Sequence, residues 1–155
     1  MPDGTRDGSP QEVGKQADVR DPPPGFSPTN SRGKFTLHNG PIYRAHSEGD
    51  LRSGFYVLDR HCNGMGFLHG GMISAFADGA LAWGVWNHTR RLSVTLKLTL
   101  SFLDIVRLDS WVEADPVIDA VNGEMVHAHA MIAVDGAAPS ARADAVFRLL
   151  RRKTP

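Results

Sequence analysis

The stretch from His61 to Trp86 holds the residues whose types and spacing could do chemistry. His69, Gly70 and Gly71 stand in a row, and Asp78 is the one formally charged residue of the stretch. If a helix begins at the glycines, its first backbone N–H groups lack internal acceptors and carry partial positive charge. Because glycine has no side chain, a ligand carbonyl oxygen can approach these groups, which would then act as an oxyanion hole.

Asp78 lies about two helical turns further along and could act as a general base or as a nucleophile. A serine hydrolase route is not supported, because the chain contains no Gly-x-Ser-x-Gly motif. The structural alternative is that the carboxylate only bonds to neighbouring groups, and glycine pairs are also frequent at turns. The arrangement of all these residues together favours the functional interpretation.

The helix that would position these residues is predicted over residues 70–87, where the sequence is long, apolar and rich in Ala, Leu and Met. Such a helix is expected to be buried inside protein. A membrane span is disfavoured, because a carboxylate in lipid is costly. Gly79 and Gly84 weaken the helix locally, and we expect them to allow close approach of other backbone.

Strands are predicted on both sides of this helix, and "LSVTLKLTLSFL" alternates most clearly. In that segment one face is expected to be buried and the other to be polar and to include Thr95; the buried set is Val94, Leu96, Leu98, Leu100 and Phe102. Further strands are predicted in "KFTLHNGPIYRAH", "SGFYVLDRHC", "DSWVEADPVIDAV", "GEMVHAHAMIAVDG" and "PSARADAVFRLLRR". Pro116 predicts a bulge or a position near an edge. The order predicts an α+β fold, with an antiparallel sheet wrapped around one long central helix.

The composition restricts the domain organisation, the partners and the location of the protein. Residues 1–33 are rich in Pro, Gly, Asp and Ser and are predicted to be a flexible tail, with one folded domain over residues 34–155. Lys plus Arg (17) equals Asp plus Glu (17), which argues against nucleic-acid and membrane-surface partners. Cys62 is the single cysteine, and the N-terminus has no apolar signal segment, so a cytoplasmic location is predicted.

Asn63, Gly66, His69-Gly70-Gly71 and Asp78 resemble a known pattern, N-x-x-G-x-x-H-G-G-x(6)-D. This is the pattern of hotdog-fold acyl-CoA thioesterases, specifically of the phenylacetyl-CoA-pathway (PaaI-like) type. The long strand from Thr95 also resembles the family's strand after the helix, and the resemblance covers about residues 34–151. The chain departs from the family after Phe102, where an Arg-Pro pair is usual.

The resemblance implies a hydrolase that cleaves an acyl-CoA thioester and carries no cofactor or metal of its own. Gly71 and neighbouring N–H groups would polarise the thioester carbonyl, and Asp78 would activate water or attack the carbonyl. Asn63 of the facing subunit would orient the water or the carbonyl, His69 would support the loop near the thioester, and Thr95 would help to hold water. The implied substrate contacts are Gly66, Phe67, Gly70 and Met72. The implied assembly is a homodimer, further paired into a tetramer.

Other interpretations remain open. A non-catalytic acyl-CoA-binding or regulatory protein of the same fold is the main alternative, and a hydratase would need an Asp and His pair that the sequence lacks. An aryl or medium-length acyl group is expected, because apolar side chains surround the motif. His127 and His129 share a strand face and are expected to be surface histidines rather than metal ligands. Basic residues near the C-terminus could meet CoA phosphates, and they are Arg148, Arg151, Arg152 and Lys153.

Overall fold

The computed structural model describes residues 20–31 and 33–151. Two α-helices, one 3-10 helix (Asp59–His61) and seven strands are present in these ranges. The α-helices and strands are β1 (Phe26–Pro28), α1 (Lys34–Asn39), β2 (Tyr43–Ala45), β3 (Ser53–Tyr56), α2 (Gly70–Thr89), β4 (Ser93–Phe102), β5 (Trp111–Asn122), β6 (Met125–Val134) and β7 (Pro139–Leu149). The strands form one antiparallel sheet in the order β1-β2-β3-β5-β6-β7-β4. The α+β architecture predicted from the sequence is therefore confirmed.

The long helix α2 forms one side of the main core. Its residues Ile73, Ala77, Leu81 and Val85 recur every four positions and are at most 3% exposed. This spacing places them on one stripe of the helix, which packs on the inward-facing side chains of the sheet. The helix runs two residues past the predicted end and stops at Arg90, which adopts a left-handed conformation with φ of 54°.

The two glycines inside α2 differ in their surroundings. A Cβ added at Gly84 would lie 2.7 Å from Cβ of Pro116, so the helix and β5 approach each other too closely for a side chain there. The close approach predicted for glycine is thus confirmed at Gly84. At Gly79 a Cβ would meet no atom of the described residues within 4 Å, so the predicted close approach is not seen there within one chain.

The N-terminal part of the fold differs from the sequence prediction in two places. Residues 26–28, assigned to the flexible tail, form strand β1, and the ring of Phe26 packs at 5.2 Å on Trp111. The folded part therefore begins before Lys34, and residues 1–19 lie outside the described residues. The segment KFTLHN, predicted as part of a strand, forms helix α1 instead. Its apolar residues Phe35 and Leu37 remain exposed, so its short apolar pattern does not mark a buried strand.

Pro116 lies in a strand that has two neighbours only over part of its length. β3 pairs with β5 from Trp111 to Ala114, and beyond that point only β6 continues beside β5. Pro116 therefore occupies a local edge, where its missing N–H interrupts no ladder on the side of β3. A register shift follows between Ile118 and Ala120, so the prediction of a bulge or edge near Pro116 is confirmed.

Strand β4 forms one border of the sheet and carries a bulge near its start. Its pairing with β7 shifts register between Thr95 and Lys97, so that Leu96 is an extra residue. The bulge changes which side chains face inward. Leu98 and Leu100 pack against the core, whereas the predicted burial of Val94, Leu96 and Phe102 is wrong, since these side chains are 44%, 53% and 55% exposed.

Candidate active site

The start of α2 is capped by the imidazole of His69. The backbone N–H of Gly71 donates to Nδ1 of His69 at 2.8 Å, and a Cβ at residue 71 would lie only 2.9 Å from that nitrogen. Glycine at 71 therefore gives the imidazole room to lie over the helix start. Because Nδ1 accepts a hydrogen bond, the neutral ring carries its proton on Nε2. His69 is exposed, so this second N–H is accessible.

The neighbouring amide of Gly70 differs from that of Gly71. Gly70 is the first residue of a 20-residue helix, and in the described part of the chain no acceptor binds its N–H. Such an amide carries part of the positive charge of the helix terminus. A Cβ at residue 70 would lie 3.1 Å from Cζ of Phe102, so the glycine also lets this ring from β4 lie against the helix start. The amide in the structure that can receive a ligand oxygen is thus that of Gly70, while the predicted donor, the amide of Gly71, is occupied by His69.

The carboxylate of Asp78 is hydrogen bonded to the edge strand. The hydroxyl of Thr95 donates to Oδ1 of Asp78 at 2.6 Å, and no other described group donates to Oδ2. The bulge at Leu96 explains how this contact arises, since it turns Thr95 toward the helix on the same side as Leu98. Thr95 was predicted on the face opposite to the apolar side chains, and its contact with Asp78 was not foreseen.

The helix start and the carboxylate lie on one face of α2 but are well separated. Gly71 and Asp78 are seven residues apart, which is close to two full turns and brings them to the same side. At 1.5 Å per residue they are about 10 Å apart along the helix axis. One thioester carbonyl group cannot contact both within a single chain, because hydrogen bonds span about 3 Å.

Asn63 organises the loop that precedes α2. Its Oδ1 accepts hydrogen bonds from the backbone N–H groups of Met65 at 2.9 Å and Phe67 at 3.2 Å. Gly66 has φ of +79°, a conformation that favours glycine, so its place in the motif has a structural reason. The half-buried ring of Phe67 lies 5.7 Å from the guanidinium carbon of Arg107. Because Oδ1 holds the loop, the side-chain NH₂ of Asn63 is the part that could reach a ligand.

A small cavity opens on the neighbouring side of α2, and it contains the predicted substrate residue Met72. Its volume is about 110 Å³, and Met72 and Phe76 form part of its wall. Sequence reasoning missed Arg44, which also lines the cavity and whose guanidinium carbon lies 3.7 Å from the ring centroid of Trp83. Burial lowers the pKa of Arg44 from its usual value. No sequence motif marks this residue, because the β2 and α2 segments meet only in the fold.

Several other predicted candidates lie away from this arrangement. His129 bonds to Asp119 at 2.7 Å on the sheet, and the described residues contain no cluster suited to a metal ion. Burial raises the pKa of the Cys62 thiol, in keeping with a packed rather than reactive cysteine. Arg148 and Arg151 each lie 3.7 Å from Glu124, while Arg152 and Lys153 fall outside the described residues. None of the described helices is long and apolar enough to cross a membrane.

Comparison with known proteins gives the same fold and a chemical class. Residues 65–134 match the family model of the thioesterase superfamily. Protein PA0474 of Pseudomonas aeruginosa, whose name proposes an esterase, is 28% identical over 130 residues, which are 82% of this chain and 96% of that protein.

Solved structures of low sequence identity share the hotdog fold. The TT0310 protein of Thermus thermophilus superposes with a TM-score of 0.68 and 21% identity, over 77% of this chain and all of that chain. The PaaI protein of the phenylacetic acid degradation operon of Escherichia coli superposes with a TM-score of 0.61 and 17% identity, over 64% of this chain and 72% of that chain. A hypothetical thioesterase protein of Streptococcus pneumoniae, solved with coenzyme A, superposes with a TM-score of 0.62 and 16% identity, over 66% of this chain and 82% of that chain.

Proposed function

We propose that the chain is a thioesterase that hydrolyses aryl- or medium-chain acyl-CoA, and the match of residues 65–134 to the thioesterase superfamily model supports this proposal. Water oxygen bonds to the thioester carbon, the carbon–sulfur bond breaks, and the products are the free acid and CoA. The observation that carries this proposal is the position of Asp78 beside Thr95, on the helix face that also presents the helix start.

Asp78 is proposed as the general base. Its Oδ1 is held by the Thr95 hydroxyl, so Oδ2 is free to take a proton from the attacking water. The alternative is that Asp78 attacks the carbonyl and forms an acyl-enzyme anhydride. Hydrolysis of that anhydride by attack of water on the Asp78 carbonyl carbon would leave one water oxygen in the Asp78 side chain, which the general-base route never does. A single turnover in ¹⁸O-labelled water, followed by mass spectrometry of the Asp78 peptide, would detect this label.

The helix start is proposed to bind the carbonyl oxygen as negative charge develops on it. The amide of Gly70 is available for this, and the amide of Gly71 joins it if the His69 side chain turns away to the ligand. The Nε2 hydrogen of His69 and the NH₂ group of Asn63 are proposed to orient the carbonyl and the water. No metal ion or other cofactor is required, because a thioester is already activated toward water.

Each catalytic centre is proposed to combine the helix start of one protomer with Asp78 of another. The separation of about 10 Å along α2 supports this, since it is too long for one chain to supply both groups. A twofold axis that sets two α2 helices side by side in opposite directions would bring the two ends together in both copies.

Strand β4 is proposed as the dimer contact. It has a hydrogen-bonded neighbour only on the side of β7 within the described residues, and its exposed apolar side chains include Val94, Leu96 and Phe102. A long apolar edge strand favours pairing with another strand.

Replacing Leu96 with glutamate should therefore yield monomers in sedimentation velocity, with loss of turnover. Leu37→Glu is the matched control, because Leu37 is exposed on α1, away from this edge. A dimeric Leu96→Glu protein would contradict this contact. Pairing of two dimers into a tetramer would appear in the same measurement.

Turnover is tested by release of free thiol from a panel of aryl- and alkyl-CoA thioesters. Asp78→Asn should lower kcat by a factor of about 100 or more, the usual contribution of a general base. Asp115→Asn is the control, because Asp115 is an exposed acid on β5. Unchanged turnover in the Asp78→Asn protein would refute the assignment. Tight acyl-CoA binding without thiol release by the wild type would instead support the binding-protein alternative.

A further inference from the structure

Arg44 carries a positive charge that no acid of the described chain neutralises. It lies on β2 directly opposite Ser53 of β3, and its side chain is half-buried. Its Nε is buried without a hydrogen-bond partner among the described residues, and its close neighbour is the ring of Trp83. A half-buried cation without a counter-ion is costly, because water is displaced and no negative charge replaces it.

The cavity beside Arg44 is lined by both polar and apolar side chains. No Asp or Glu among the described residues lines it, so Arg44 is the only formal charge that they place on its wall. The hydroxyl of Ser53 is also buried without a partner in this part of the chain, and Ser53 is only 2% exposed. The apolar lining includes Met72 and Phe76 of α2, and the remaining polar lining consists of Thr29, Ser31, Thr36 and Asn39. A positive group, the unpaired hydroxyl of Ser53 and apolar walls together match an organic anion.

The cavity wall includes residues close in sequence to the proposed catalytic residue Asp78. Ala75 and Gly79 are part of its wall, and they are three residues before and one residue after Asp78 on the same helix. The cavity volume of about 110 Å³ is below the roughly 150 Å³ of an apolar cavity that holds benzene. This space admits the end of an acyl group but not the nucleotide of CoA.

We propose that this cavity binds the far end of the acyl group, and that this end carries a carboxylate paired with Arg44. The inference rests on the proposed function and specifies its substrate class as a carboxyacyl thioester. The planar guanidinium, stacked on Trp83, presents N–H groups at its edge that can bind both carboxylate oxygens.

The test compares adipoyl-CoA with hexanoyl-CoA, and suberoyl-CoA with octanoyl-CoA, because each pair differs only in the terminal carboxylate. The wild type should favour the carboxyacyl member in kcat/KM by about tenfold or more, the size of a charge-assisted hydrogen bond. Arg44→Met should abolish this preference, because kcat/KM falls mainly for the carboxyacyl member of each pair, while Arg44→Lys should keep part of it. Arg142→Met is the control, because Arg142 is exposed on β7 and bonded to Asp144.

A CoA phosphate is the competing source of negative charge, and it predicts a different result. In that case Arg44→Met would weaken both members of each pair equally, and N-acetylcysteamine thioesters, which lack the nucleotide, would show no effect of the substitution. That pattern, or equal wild-type activity on both members of a pair, would overturn the inference.

Binding and stability measurements separate this inference from the proposed function. Adipate should bind more tightly than hexanoate in calorimetry, and Arg44→Met should remove the difference even if the wild type cleaves no thioester. In that outcome the hydrolase proposal fails and the carboxylate site stands. Arg44→Met should also unfold at the same or a higher temperature than the wild type, because it removes an unpaired charge. A large loss of stability would show that Arg44 has an internal partner and would count against the site.

Discussion

Replacing Gly70 with proline should remove the proposed oxyanion donor and little else. Gly70 is the first residue of α2, a position where proline is frequent because its fixed φ suits the helix and the amide there has no internal acceptor. The preceding residue, His69, has φ of −69° and ψ of 133°, an extended conformation that also suits a residue before proline. The matched control is Gly70→Ala, which adds the same Cβ but keeps the N–H.

The size of the effect follows from what each variant changes. Loss of one oxyanion-hole donor lowers kcat by a factor of about 100 to 1000. The added Cβ, 3.1 Å from Cζ of Phe102, requires a small shift of that ring in both variants, so alanine reports the cost of the side chain alone. The ratio of kcat between Gly70→Ala and Gly70→Pro therefore isolates the contribution of the amide.

The assay is thiol release at saturating acyl-CoA, with sedimentation velocity to establish that both variants keep the assembly of the wild type. Equal kcat for the two variants would refute the role of the Gly70 amide.

The Gly70→Pro variant also tests whether each active site combines the helix start of one protomer with Asp78 of another. Gly70→Pro removes the donor at the helix start, whereas Asp78→Asn removes the carboxylate. A random mixture of the two inactive chains should recover about one quarter of wild-type turnover, since half of the dimers are mixed and each has one intact site. No recovery would mean that each chain supplies both groups to its own site.

Three further predictions concern the support of the site and of the fold. Thr95→Val should lower kcat about tenfold, as expected for loss of a hydrogen bond to a charged group. Thr95→Ser keeps the hydroxyl, and its kcat should stay near that of the wild type. Equal kcat values for the two variants would show that the hydroxyl does not matter. Gly84→Ala should destabilise the chain by about 1–3 kcal/mol in urea unfolding, since its Cβ would overlap a proline of β5, and a stabilised protein would contradict the close packing. The hydrogen-bonded guanidinium of Arg52 holds the pKa of the Asp50 carboxyl below its usual value. The ion pair therefore stabilises the fold at pH values above about 3.8, the pKa of Asp50 in the unfolded chain. This stabilisation is lost as the pH falls through the lower pKa that Asp50 has in the folded chain. Arg52→Met should therefore unfold more easily than the wild type near pH 7, with the gap closing toward pH 2 in thermal unfolding.

The sequence predicted the central elements because their patterns are long. The helix from Gly70 and the strands after it have enough residues for period and length to distinguish helix from strand. The first residue of the helix follows from the glycine pair, and the histidine before it occupies the N-cap. Short segments did not provide this information: KFTLHN has only six residues, too few for a period to distinguish helix from strand.

The bulge in β4 left no trace in the sequence. The alternation from Val94 to Phe102 continues without a break, and it predicts one buried face and one polar face. The extra residue at Leu96 reverses the inward direction partway along the strand, so that Thr95 and Leu98 lie on one side. A one-residue shift in pairing moves every following side chain to the other face, and only the partner strand determines where it occurs.

The sequence placed the motif residues near the helix start but did not resolve how they interact. The motif placed His69 and Gly71 together, whereas their mutual hydrogen bond depends on a side-chain rotamer that spacing cannot specify. The stacking of Arg44 on Trp83 joins residues 39 positions apart in the chain, and a single sequence contains no signal for that contact.

The bulge also links assembly to chemistry in the proposed dimer. Thr95 lies on β4 and donates a hydrogen bond to Asp78, so the strand proposed to pair with its copy also positions the proposed catalytic carboxylate. A shift of two residues in that pairing would displace Thr95 by about 7 Å relative to the partner's helix start. Hydrogen bonds to a thioester tolerate far less than this, because they weaken beyond about 3.2 Å. The proposed active site would therefore keep its geometry only if the two edge strands pair in one register. Substitutions that alter the bulge should affect kcat even when the dimer still forms.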